Sequence, residues 1–318
     1  MTGRPAARAP ATREEALSVF LTGASGYLGH RLVRELRAHD AKVGALVRRA
    51  PADASAFDEV IVADVAEPIS ARPSGRYDVL VHLAAANDIA SRDPATALRG
   101  TTLGTRRALD FGKAAAIPGF LYVSTTQVYG RDAGLVDECT EPRPRNDYAL
   151  THLFAEQYVR YEAARWAVAR VGNVYGAPSS RAQERWSLVP NCFCKAAHER
   201  GRITLTSSGL QERDFLGASD VAVLLHAMAR RLDDLHGTVV NLTSGRSETV
   251  LAMAERVAAR FTARTGRPCP IEVRSSEPTR AEPLLMPTAL RERLGLRLEA
   301  PQRINDEIDR TFEILEAP

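Results

Sequence analysis

The chain has 318 residues, 45% of them hydrophobic and 25% charged, with a formal net charge of +3. That length is ample for a large core, in one large domain or two intimate ones, and the near-balanced charge points to no nucleic-acid or membrane partner. No stretch reaches the roughly 18 apolar residues that span a bilayer, and Cys139, Cys192, Cys194 and Cys269 lack the paired spacing of a zinc site. No metal is expected, and the cysteines read as reduced thiols of a cytoplasmic protein.

Residues 1–16, rich in Ala, Arg and Pro, read as a disordered leader. From Leu17 onward, short β-rich runs alternate with helical segments. Strands are expected at Ser18–Leu21, Lys42–Val47, Glu59–Ala63, Val79–Leu83, Phe120–Ser124 and Trp166–Val171, and helices at Tyr27–His39, Ala95–Ala116 and Tyr148–Ala164. This rhythm predicts an α/β fold with a doubly wound parallel sheet. Beyond Gly176 the rhythm breaks, with a helix at Val189–Arg200 and a late strand and helix at Val239–Leu242 and Ser247–Thr262. Residues 17–175 would form the main domain, with 214–245 returning to it. Residues 176–213 and 246–318 would make a smaller C-terminal substrate-binding lobe.

Between the first strand and first helix lies Gly23-Ala24-Ser25-Gly26-Tyr27-Leu28-Gly29. In such a loop the first glycine permits the tight turn, the second lets backbone approach a pyrophosphate, and the third lets helix pack on strand, leaving N–H groups to face phosphate. The context is that of a Rossmann-type NAD(P)-binding domain. The second strand ends Ala45-Leu46-Val47-Arg48-Arg49, with no acid to accept bonds from the ribose hydroxyls. Arginines there suit a 2′-phosphate, so NADP(H) is favoured and NAD(H) remains open.

Tyr148-Ala-Leu-Thr-His152 places a phenol and an imidazole four residues apart, hence on one helix face. A phenol beside a basic group is a proton-transfer pair for carbonyl/alcohol chemistry. Lysine occurs only at Lys42, Lys113 and Lys195, so no sequence-local lysine supports Tyr148.

Together these motifs resemble the extended short-chain dehydrogenase/reductase superfamily, the NAD(P)-dependent nucleotide-sugar epimerases, dehydratases and ketoreductases. The resemblance runs from about Val19 to Leu296 and includes Asp64-Val65, His82-Leu83-Ala84-Ala85-Ala86, the strand Tyr122-Val123-Ser124-Thr125-Thr126-Gln127-Val128-Tyr129-Gly130, the run Arg170-Val171-Gly172-Asn173-Val174-Tyr175-Gly176, and Arg213-Asp214-Phe215. It implies that Asp64, Val65, Leu83, Ala84, Ala85, Val123, Tyr148, His152 and Val171 join the glycine loop in holding the cofactor. Thr125 would orient the reacting oxygen, Tyr148 would be the acid/base, and Thr126, Asn173, Leu188, Val189 and Arg213 would meet a nucleotide-sugar substrate. Family members also dimerise through a four-helix bundle, here Ala95–Ala116 and Tyr148–Ala164.

Three departures shape the functional expectation. His152 replaces the family's active-site lysine, and Thr101 stands where many members carry an asparagine. Thr126-Gln127 replaces the Asp-Glu pair with which the 4,6-dehydratases eliminate water, which disfavours dehydration. A 4-ketoreductase or C4 epimerase is the leading expectation. A redox-impaired or non-redox member binding a sugar nucleotide or dinucleotide is the alternative, and a reductase of small hydroxy-carbonyl compounds is a third that Arg213-Asp214-Phe215 argues against.

Overall fold

Runs such as Val79-Leu80-Val81 and Phe120-Leu121-Tyr122-Val123 are apolar on both sides of the backbone, as strands covered by helices on both faces must be. The computed structural model describes residues 16–51, 53–181, 183, 185–274, 282–298 and 304–317, so all but the last residue of the expected leader lies outside the described residues.

The described strands, in chain order, are β1 (Ser18–Thr22), β2 (Lys42–Val47), β3 (Glu59–Val62), β4 (Val79–His82), β5 (Gly119–Thr125), β6 (Gly134–Leu135), β7 (Trp166–Val171), β8 (Asn173–Tyr175), β9 (Ile203–Leu205), β10 (Glu212–Gly217), β11 (Thr238–Leu242), β12 (Ser247–Thr249), β13 (Ile271–Val273) and β14 (Leu284–Leu285). Seven of them form one parallel sheet in the order β11-β7-β5-β4-β1-β2-β3. The strand order reverses between β1 and β4, and a crevice opens there at the carboxyl ends of the strands, where open α/β sheets bind ligands.

Alternation along the strands feeds two cores. Val19, Leu21, Val43, Ala45, Val79 and Val81 pack with Leu32 and Leu36 of α1 (Gly29–Ala38) and with Leu224, Leu225 and Met228 further along. Phe20, Leu80, Tyr122 and Val168 point the other way, against Ala108 and Phe111 and against Ala155 and Val159. The helix expected at Ala95–Ala116 is three pieces: α2 (Pro94–Ala97), a π-helical turn (Leu98–Leu103) and α3 (Gly104–Ala114). Tertiary contact explains the irregularity, because Thr101 Oγ1 accepts the Ala86 N–H at 3.1 Å and Gly100 lies against Ala86. A π-turn of this kind often marks a functional site.

After α4 (Asp147–Glu162) and α5 (Val189–Arg200) the chain departs from the expected boundaries. β10 joins β8 and β12 in a separate three-stranded sheet, with Phe215 opposite Asn173, so Asp214–Gly217 does not return to the main sheet. α6 (Ala218–Arg230), packed on α1, and β11 do return. The late helix is α7 (Val250–Thr265), preceded by β12, because Thr249 Oγ1 accepts the Ala252 N–H at 3.0 Å and caps the helix there. α8 (Ala289–Arg293) and α9 (Ile304–Glu316) follow. Tyr175, Phe193, Phe215, Met253, Phe261, Ile308 and Phe312 form a further core among α5, α7, α9 and the small sheet.

Candidate active site

A cavity of about 750 Å³ opens over the β1/β4 crevice. Its floor is the glycine loop, where Gly23 holds φ +72 and a Cβ there would sit 2.8 Å from the Ala84 nitrogen. A Cβ on Gly29 would lie 2.1 Å from the Gly23 carbonyl oxygen. Among the described residues no side chain caps the first turn of α1 and no acid stands in it, so its N-terminus is left for an anion.

Ser25, Gly26, Tyr27, Leu28, Asp64, Val65, Leu83, Ala84, Ala85, Val123 and Val171 all line this cavity. Arg48 reaches it from the end of β2, whereas Arg49 is exposed and lies outside the lining. On the opposite wall are Thr125, Tyr148, His152, Asn173, Leu188, Val189 and Arg213. Thr126 is not among them. Thr125 Oγ1 accepts the Gln127 N–H at 3.2 Å and starts a tight turn over Thr126–Tyr129, which brings Gln127 to the wall instead.

Asn146 fixes the start of α4 by accepting the Ala149 N–H at 2.8 Å. Tyr148, His152 and Glu156 then fall on one inward face. The Tyr148 and His152 rings meet edge to face, 4.7 Å between centroids. Thr125 is among the groups that act on the Tyr148 phenol. Burial raises the Tyr148 pKa, Arg185 and Thr125 oppose that rise, and Asp88 adds to it.

His152 carries no charge near neutral pH, because burial pushes its pKa down to about 3. Its Nδ1 is 2.7 Å from the Tyr122 hydroxyl, and its buried Nε2 has no partner among the described residues. His82 is likewise neutral, lowered to about 3 by burial, and bridges Thr22 Oγ1 at 2.6 Å and Thr105 Oγ1 at 3.0 Å. It is a packed structural histidine.

Beneath Thr125 lies an ion pair between two fully enclosed side chains. Arg170 on β7 donates two bonds to Glu156, at 2.9 and 2.7 Å, and Ser124 adds a third at 2.6 Å. Arg170 also covers the Tyr129 ring, whose hydroxyl donates to Asn241 at 2.8 Å. The network ties the end of β5 to α4, β7 and β11. Asp214, buried in the substrate-side turn, accepts the N–H groups of Ser244 and Gly245 at 2.7 and 2.8 Å rather than pairing with Arg213. Asn173 donates to the Asp214 carbonyl at 3.2 Å.

Sequence reasoning missed three charged lining residues, Arg99, Arg185 and Asp88, the last two with side chains 3.5 Å apart. It also missed Glu156. The spacing 148, 152, 156 was the available signal, since a carboxylate on that inward face demands a buried partner.

A cavity over a glycine loop, with a threonine and a tyrosine on its far wall, is consistent with a nicotinamide-dependent enzyme of the extended short-chain type. The model of the NAD dependent epimerase/dehydratase family matches residues 19–243, and the chain belongs to that family. It is 26% identical over 258 residues to the ADP-L-glycero-D-manno-heptose-6-epimerase of Alkalilimnicola ehrlichii, covering 75% of this chain and 79% of that one. Among solved structures it resembles MoeE5 in complex with UDP-glucuronic acid and NAD, with TM-score 0.73, 25% identity and coverage of 94% and 98%. It also resembles the UDP-N-acetylglucosamine 4-epimerase of Methanobrevibacter ruminantium M1, with TM-score 0.78, 16% identity and coverage of 95% and 99%. No described helix is long and apolar enough to cross a membrane.

Proposed function

We propose that the protein reduces or epimerises C4 of a nucleotide-linked sugar with NADP(H), Tyr148 exchanging the proton and Thr125 holding the reacting oxygen. The observation that carries this reading is the convergence of Thr125, Tyr148 and the glycine loop on one cavity. The cofactor's fit is supported by the glycines, which leave no room for Cβ atoms, and by the orphaned His152 Nε2 on the wall. When bound, the nicotinamide supplies or takes the hydride. In reduction, the Tyr148 phenol gives its proton to the sugar oxygen that Thr125 orients; in oxidation it takes that proton back. His152, neutral, would hold a ribose hydroxyl through Nε2, and Arg185 supplies the charge that partly offsets the rise burial imposes on the Tyr148 pKa.

Arg48 at the cavity edge, with no acid in the sequence at the end of β2, supports NADP(H). Gln127 in place of a carboxylate argues against dehydration. Asn173, Leu188, Val189 and Arg213 would bind the nucleotide diphosphate and sugar, in a lobe built largely from 176–213 and the residues after 246. On α4, Leu150, Phe154, Tyr158 and Tyr161 form an exposed apolar stripe, and Leu98 and Leu103 are exposed nearby, which supports a homodimer through paired helices. Four free cysteines, two of them exposed, support a reducing, cytoplasmic setting.

Tyr148→Phe should cut turnover of a nucleotide 4-keto sugar by about 10²–10⁴-fold. Unchanged turnover would refute the mechanism, and tighter binding of NADH than NADPH would refute the cofactor assignment.

A further inference from the structure

On the outer face of α1, away from the cavity, Glu35 and His39 stand one turn apart and His226 of α6 packs against them. Ligand atoms of these three side chains all lie within 4.8 Å of one another. A Glu35 carboxylate oxygen is 3.5 Å from His39 Nδ1 and 3.7 Å from His226 Nδ1. Those separations are long for hydrogen bonds. The Glu35–His226 separation is close to the edge of a tetrahedron built with metal–ligand bonds of 2.0–2.2 Å, which is about 3.4 Å, and His39 would join through Nε2.

The surroundings fit the same assignment. The two imidazoles face each other at 4.4 Å between centroids. His39 Nδ1 also sits 2.9 Å from the Glu35 carbonyl oxygen, and donating to it leaves Nε2 with its lone pair free. The His226 side chain is only 7% exposed, and its Nε2 is buried without a partner among the described residues. Two imidazoles beside a carboxylate are a donor set suited to late first-row divalent ions rather than Mg²⁺ or Ca²⁺.

We infer that Glu35, His39 and His226 form a three-ligand site for a Zn²⁺-class cation that clamps α1 to α6. His39, 51% exposed, leaves the fourth position to water. Because the three ligands come from two packed helices and none lines the cavity, the bound ion holds the helix that begins at the glycine loop and takes no part in proton or hydride transfer.

The test uses the untagged full-length protein, stripped with a chelator, dialysed, and titrated with Co²⁺ alone and then Zn²⁺ alone. One equivalent of Co²⁺ should bind with the intense visible absorption of tetrahedral coordination, and Zn²⁺ should displace it. Glu35→Gln, His39→Asn and His226→Asn should each weaken binding tenfold or more. The exposed His39 keeps the test decisive if the buried His226 variant fails to fold. Absence of stoichiometric Co²⁺ binding, or affinity changed less than tenfold in both Glu35→Gln and His39→Asn, would overturn the site.

Discussion

Removing the Tyr122 hydroxyl tests what holds His152. Both side chains are almost wholly buried, and the contact between the phenol and Nδ1 is 2.7 Å. Tyr122→Phe deletes one oxygen, so the cavity contribution is small, but it strands an imidazole nitrogen where water does not reach. A buried polar atom left unpaired costs about 1–3 kcal/mol. Thr105 also acts on the phenol, and its hydroxyl retains His82, so that loss adds little. A destabilisation of roughly 2 kcal/mol, read from the urea midpoint at constant m-value, is expected. The double variant Tyr122→Phe/His152→Leu should recover most of it, because removing both partners leaves no stranded atom, giving a coupling energy of about 1–2 kcal/mol. NADPH affinity should fall in the single variant as His152 loses its fixed tautomer. A cost under about 0.5 kcal/mol, or additivity within that margin, would refute the idea that Tyr122 sets His152.

Three further outcomes follow from the same site. His82 and His152, both lowered to about 3 in the folded state, take protons in the unfolded chain near pH 6.5, so their contribution to stability is complete above that pH and is lost as pH falls towards 3. Two protons give a slope of up to about 2.7 kcal/mol per pH unit between roughly pH 6 and 4, and urea melts of His152→Gln should show about half that histidine slope. Arg185→Leu should move the acid limb of the pH–rate profile for alcohol oxidation to higher pH, since Arg185 lowers the pKa of the Tyr148 base, and an unmoved limb would deny it that role. Arg170→Ala strands the Glu156 carboxylate among fully buried groups and should cost about 3–5 kcal/mol in a denaturant melt, whereas Arg170→Met/Glu156→Leu should cost much less.

The sheet was readable because its strands are local signals. Lys42–Val47 and Trp166–Val171 match their expected limits, and Val189–Arg200 opens on a proline at its second position and closes on Gly201 in the left-handed region. The glycine loop was readable for the same reason, since each glycine answers a steric demand met within a few residues or by one neighbouring loop. What escaped depends on contacts between distant segments. The π-turn exists because Thr101 and Gly100 meet Ala86, and Gln127 displaces Thr126 because the Thr125 hydroxyl bends the chain. Arg185 follows a segment with no periodicity, and only the folded cavity brings its charge to bear on Tyr148. Similarly, the sequence shows a histidine where the family resemblance implies a lysine, but its neutrality comes from burial beside Tyr122, 30 positions away.

The pairing of Arg31 with Glu307 bears on how the protein comes into being. Arg31, in the first turns of the helix that opens at the glycine loop, is 6% exposed and bonds Glu307 at 3.0 Å and the Ala177 carbonyl at 2.9 Å. Glu307 also accepts the Ala177 N–H at 3.2 Å and is bonded by Ser219. Synthesis runs from the amino end, and early segments fold first. During translation, then, the loop that would grip the cofactor is among the first parts to emerge, yet the guanidinium behind it has no counter-ion until 276 more residues have left the ribosome. Until Glu307 has emerged the Arg31 guanidinium stays in water, so its burial behind the glycine loop is among the last steps of folding rather than the first.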